Sequence, residues 1–144
     1  MSTTPFGNVA RPGVPFGKAA RIQSRIGLVL TVLAVLFLLM DAAMKMLALP
    51  NALATTATLG YPGTPQFARV LGVVLLICTL LYAWPRTAAL GAILLTGSLG
   101  GAIASHVRIG SPLFSHILFG LYVALFVWGG LYLRNRRVRD LFTA

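Results

Sequence analysis

Negative charge is almost absent from this chain. Asp41 and Asp140 are the only carboxylate side chains in 144 residues, against twelve lysines and arginines, and the formal net charge is +10. No nucleophile–base–acid constellation and no phosphate-cradling glycine loop occurs, which argues against an autonomous hydrolase or kinase. Cysteine is equally scarce. Cys78 stands alone, so neither an intrachain disulfide nor a CxxC redox pair can form, and a secreted disulfide scaffold is excluded. Charge of either sign is thin: 10% of residues are charged and 58% are apolar, where soluble domains average about 25% and roughly 45–50%. At a mean hydropathy of +0.87, a globule of this size lacks the polar residues to cover itself, so a soluble single domain and a disordered chain are both excluded. In a soluble chain a charge of +10 would point to nucleic acid; here its placement points to a membrane.

What the chain does have is four long apolar stretches, each near the ~20 residues that cross a bilayer core. They run over about 26–49, 67–84, 87–105 and 113–133. The runs are too long and too rich in leucine and alanine for strands, and they lack period-two alternation. The sequence predicts an all-α fold, a four-helix transmembrane bundle over residues 26–134. A flexible basic tail containing proline and glycine precedes it over 1–25, and a basic tail follows over 135–144. Trp84-Pro85-Arg86-Thr87 reads as a tight turn, because Pro85 cannot continue a helix. Gly110-Ser111-Pro112 breaks the chain before the fourth span. Residues 50–66 hold no charge and read as a turn or re-entrant loop around Leu59-Gly60-Tyr61-Pro62-Gly63.

Lysine and arginine counts give an orientation. Arg11, Lys18, Arg21, Arg25, Arg86, Arg134, Arg136, Arg137 and Arg139 fall on one side, nine in all, against Lys45, Arg69 and Arg108 on the other. Both termini are therefore expected in the cytoplasm, and an even span count agrees with that. A bacterial inner membrane is the expected location. Ala52-Leu53-Ala54 resembles a signal-peptide cleavage site, but Asp41 and Lys45 interrupt the path to it, so the first span is expected to remain.

Ionisable groups inside a membrane cost about 2.5–3.5 kcal/mol each even on the lenient insertion scale, and six fall at one depth here. Asp41 lies about 24 Å along the helix from Arg25. Lys45 follows one turn later and can pair with it. Arg69 opens the second span, His106 and Arg108 close the third, and His116 sits in the first turn of the fourth. Converging from four helices, they form a candidate ligand site in the outer half of the bundle. Asp41 offsets one of three fixed cations, and the surplus seeks a carboxylate, a phosphate, a sulfur oxyanion or a quinone carbonyl. The competing reading is structural: an Asp41–Lys45 ion pair, with Arg69 and Arg108 snorkelling to headgroups. His106 and His116 raise the question of a metal or haem, but the nearby cations oppose a metal, no HExxH-like spacing supports one, and haem would need two facing axial groups. No metal is expected. Gly97 and Gly101 make a small-xxx-small pair that admits a neighbouring helix, with room beside it for a ligand. Cys78 reads as a buried, inert thiol, and Trp84, Trp128, Tyr122 and Tyr132 as interfacial or packing aromatics.

Four segments carry a resemblance: Asp41-Ala42-Ala43-Met44-Lys45-Met46-Leu47, Leu59-Gly60-Tyr61-Pro62, Leu90 to Gly97, and above all Gly100-Gly101-Ala102-Ile103-Ala104-Ser105-His106-Val107-Arg108-Ile109-Gly110. Over about residues 26–134 the chain resembles the DoxX-like family. That resemblance implies a four-helix integral membrane protein, with Lys45, Arg69, His106 and Arg108 as family-typical polar positions. It also implies association with membrane oxidoreductase systems, since the family name derives from a subunit tied to thiosulfate:quinone oxidoreduction and relatives are tied to thiol and oxidative-stress defence. A lone cysteine does not support direct thiol–disulfide chemistry here. The expected function is thus an accessory or quinone-interacting subunit of a membrane redox system, not an autonomous enzyme, with quinone as the candidate cofactor. Expected partners are the bilayer and either an oxidoreductase subunit or a second copy of the chain, and not nucleic acid. The alternatives are a structural partner subunit without a ligand and a small dimeric transporter.

Overall fold

The computed structural model describes residues 16–143; the part of the expected N-terminal tail over 1–15 lies outside them. Backbone polar groups in hydrocarbon must be satisfied within the segment that carries them, and the described residues are helical with short turns. The helices are α1 (Phe16–Met46), α2 (Pro50–Thr58), α3 (Pro65–Ala83), α4 (Ala88–Arg108), α5 (Leu118–Arg134) and α6 (Arg136–Thr143), with a π-helical turn, Leu113–Ile117, leading into α5. Four stretches are long and apolar enough to cross a membrane: Arg21–Met46, Pro65–Ala83, Ala88–Arg108 and Leu113–Arg134. The expected all-α, four-span bundle is what the structure shows.

Several boundaries differ from the sequence reading. Helix α1 is already formed at Phe16, ahead of the expected start near Ile26, because Ala19, Ala20, Arg21, Gln23 and Arg25 are good helix formers whatever their polarity. The C-terminal tail contains α6, which leaves α5 at an extended Asn135 whose Oδ1 accepts from Arg137 N at 3.1 Å. The uncharged 50–66 segment begins as a helix. Pro50 occupies its first turn, where a missing N–H costs nothing. Thr55, Thr56 and Thr58 donate to the carbonyls of Asn51, Ala52 and Ala54, satisfying their own hydroxyls. Only beyond it does the chain turn, at Gly60 with φ +79°, a left-handed conformation natural to glycine.

The four spans close a ring: α1 packs on α3, α3 on α4, α4 on α5, and α5 back on α1. The interior uses small residues. Ala34, Ala42, Ala68, Ala88 and Ala92 are buried, while Leu28, Leu36, Val70, Ile77, Leu80, Ile93 and Leu125 face outward. In lipid, large apolar side chains gain nothing by hiding from the solvent, and close backbone approach supplies the contact energy. Thus α1 meets α5 at Gly27 and Gly130, where added Cβ atoms would lie 2.7 Å from Leu133 Cβ and 2.6 Å from Thr31 Oγ1 respectively.

Tyr82 is the largest fully buried side chain. Its hydroxyl donates to Val127 O at 2.8 Å and lies 3.3 Å from Thr31 Oγ1, which itself donates to Gly27 O. Three spans are thereby joined at one polar point. Replacing Tyr82 with Phe removes that point and leaves the shape unchanged. The variant is expected to fold and to lose about 1 kcal/mol, the scale of interhelical hydrogen bonds in membranes, read as a lowered thermal midpoint in detergent.

Candidate functional site

The end of the bundle opposite the start of α1 and the end of α5 gathers the C-terminal ends of α1 and α4, the whole of α2, and the start of α3 and of the fourth span. Its covering piece, the α2–α3 turn, is fastened to α4. Tyr61 Oη and Ser105 Oγ are 2.8 Å apart, and Ser105 Oγ donates to Gly101 O at 2.8 Å. The Tyr61 ring stacks on Phe67 with centroids 5.6 Å apart. Arg108 Nη2 donates to the Leu59 carbonyl. Gly60 leaves room for that guanidinium, since a Cβ there would lie 2.6 Å from Nη2.

Beside this cover lies a depression of about 350 Å3, walled on one side by Ala54, Thr55, Thr58 and Leu59 and on the other by His106, Ser111 and His116. The two imidazoles stand 5.2 Å apart, centroid to centroid, tilted by 51°. His106 Nδ1 is 3.0 Å from Ser111 Oγ, and His116 Nδ1 is 2.6 Å from Ser115 Oγ. In each ring the serine occupies Nδ1, so Nε2 is the nitrogen left for a ligand. Thr55 and Thr58 have spent their hydroxyl protons on their own helix, so Ser111 and the imidazoles supply most of the polar character of the wall. Small-molecule sites combine mostly apolar walls with a few convergent polar groups; the depression shares that lining but is open along much of its rim. Among the described residues no group of three His, Cys, Asp or Glu side chains comes together.

The six residues singled out from the sequence are thus not brought into one cluster. His106 and His116 meet at the depression, and Arg108 holds one of its walls through Leu59. Asp41 and Lys45 form a salt bridge on α1, with 30% and 25% of their side chains exposed. Arg69 is exposed near the start of α3, without a hydrogen bond or ion pair among the described residues. Gly97 and Gly101, beside which the sequence led us to expect room for a ligand, do not line the depression; with Gly100 they are exposed, and a Cβ on any of them would meet open space. The close approach on α4 occurs instead at Gly91, against the α3 backbone. Sequence reasoning missed Ser111, Ser115 and the π-helical turn that carries His116. That turn had no sequence signal beyond Pro112, although such turns recur at functional sites.

Among family models, the one for the DoxX-like family matches residues 29–130. No curated protein matches the chain, and no solved structure does. With four apolar helices and a family match over most of its length, this multi-pass membrane protein belongs to the DoxX-like family.

Proposed function

We propose that the chain is an accessory subunit of a membrane redox system that holds the head of a quinone, or of a similar small amphipathic molecule, in the depression against His106 and His116. The observation that carries this reading is the pair of imidazoles 5.2 Å apart on the wall of a 350 Å3 depression. An imidazole donates to or accepts from a quinone oxygen and relays a proton between them, while the α2 wall receives the ring. Lys45, Arg69 and Arg108 keep this end of the bundle electropositive, which suits an electron-rich or anionic head, and the Asp41–Lys45 pair sets how much of that charge is free. The basic bias of the opposite end supports a reading with both termini in the cytoplasm of a bacterium and the depression on the outer face of its inner membrane.

The test is native mass spectrometry of the full chain in mild detergent, titrated with a short-chain quinone. One quinone per chain is expected, with binding weakened roughly fivefold by His106→Phe or His116→Phe, the loss of about one hydrogen bond each. Unchanged binding in both variants overturns the reading. A second reading, a ligand-free partner subunit or one half of a dimeric transporter, is favoured by the open Gly97–Gly100–Gly101 face of α4, since small residues admit a neighbouring helix. The same spectra separate the two: a stoichiometric second polypeptide with no quinone supports the partner.

A further inference from the structure

At the end that carries the start of α1 and α6, the α3–α4 turn and the junction of α5 with α6 border a broad, open depression of about 720 Å3. Arg86, Arg134, Arg136 and Arg137 line it together, with apolar ground supplied by Pro85, Ala89 and Val138. Four guanidinium groups around one concavity repel one another, and Asp140 is the one carboxylate on α6, so the group as a whole favours an anion. The bend at Asn135 places two of them there, because it turns α6 away from the axis of α5 and buries Val138 against the bundle. Arg134 is only partly engaged. Its Nη2 donates to Tyr82 O at 2.9 Å and its Cζ lies 5.2 Å from the Tyr82 ring centroid. Its Nε, however, is buried without an acceptor among the described residues. A buried donor of this kind costs stability until an acceptor reaches it.

We infer that this depression binds the phosphodiester head of an anionic phospholipid. Its level selects a lipid over a soluble phosphate: it lies at the ends of α3, α4 and α5, beside the exposed Trp84, where headgroups sit and interfacial tryptophans collect. Arg86, Arg136 and Arg137 offer planar forks that take phosphate oxygens two at a time. The apolar ground leads to the outward leucines and valines of the spans, along which acyl chains lie. The volume and the number of arginines suit a head with two phosphodiesters better than one. This inference concerns the opposite end from the quinone reading and does not depend on it.

The full chain is to be placed in phosphatidylcholine nanodiscs and titrated with a diphosphatidylglycerol lipid, bound lipid being counted by native mass spectrometry. Saturable binding of one molecule is expected. Arg86→Gln with Arg137→Gln should weaken it roughly 30-fold, about a factor of five per cation lost near an anionic surface. Arg139→Gln, whose guanidinium donates to Gln23 Oε1 at 3.2 Å and does not line the depression, should leave binding within about twofold. Equal binding by the double variant and the wild type overturns the site. If the double variant does not fold, the unmodified chain decides: failure of diphosphatidylglycerol to saturate at one molecule over phosphatidylcholine, or its displacement by millimolar pyrophosphate, overturns a lipid site.

Discussion

Leucine at position 91 abolishes the folded protein. Gly91 lies in the first turns of α4, where the chain has just reversed through Trp84–Thr87, and it packs directly on the α3 backbone. A Cβ there would fall 2.7 Å from the Leu81 carbonyl carbon and closer still to Tyr82. What it meets is main chain, so no rotamer change relieves the overlap. The turn is also pinned, because Thr87 Oγ1 donates to Leu81 O at 2.8 Å and Gly91 N to Thr87 O at 2.9 Å. Separating α3 from α4 would carry Tyr82 away from Val127 and Thr31. Ordinary overpacking costs about 1–3 kcal/mol; a backbone clash at a hairpin exceeds that, and bundles of this size have little more to give. Size-exclusion profiles of Gly91→Leu are expected to show aggregate with almost no monodisperse peak. Gly97→Leu, on the same helix but facing open space, should elute like the wild type. Normal elution of the Gly91 variant would refute the close approach of these two helices.

The second large effect concerns Asp41. Its carboxylate is paired with Lys45 one turn on, inside a spanning helix. Removing it strands an ammonium group at membrane depth, at a cost of up to about 3 kcal/mol, reduced by whatever snorkelling the last turn of α1 allows. Asp41→Ala should therefore lower the yield of folded protein severely. Asp41→Leu combined with Lys45→Met removes both charges, and most of the yield should return, since a hydrophobic replacement of an ion pair is often neutral. Thermal midpoints for Asp41→Leu, Lys45→Met and the two combined complete a cycle in which the coupling is read directly. Additive losses would show that the two side chains do not sustain each other.

Spans, turns and family were legible in the sequence because each rests on a local quantity. Apolar run length gives the helices, and Pro85 and Gly110-Ser111-Pro112 give the breaks. The site was legible only by depth. Spacing placed His106, Arg108 and His116 at one end, and the structure keeps them there. It could not say where a long side chain reaches, and Arg108 turns back to a carbonyl on the α2–α3 turn instead of facing a ligand. Nor could it rank the glycines of α4: Gly91, Gly97 and Gly101 look alike in sequence, yet only Gly91 is pressed against another backbone. Helix α2 was missed because it carries no charge and little polarity contrast, so nothing marked it as a helix. The knot at Tyr82 was invisible for a different reason: its partners, Thr31 and Val127, lie on helices far along the chain in both directions.

Closure of the ring between α1 and α5 has a consequence for how the protein is made. The ribosome delivers α5 after α1, α3 and α4, and until it arrives the Gly27–Thr31 face of α1 lacks its α5 cover and the Tyr82 hydroxyl has no Val127 carbonyl to donate to. Three inserted helices are thus an open horseshoe in which the Tyr82 hydroxyl keeps only Thr31 Oγ1 as a partner. The bundle becomes a closed unit only when α5 enters the bilayer and bridges α1 to α4, so α1 waits for one of its two main neighbours until the other three spans are in place.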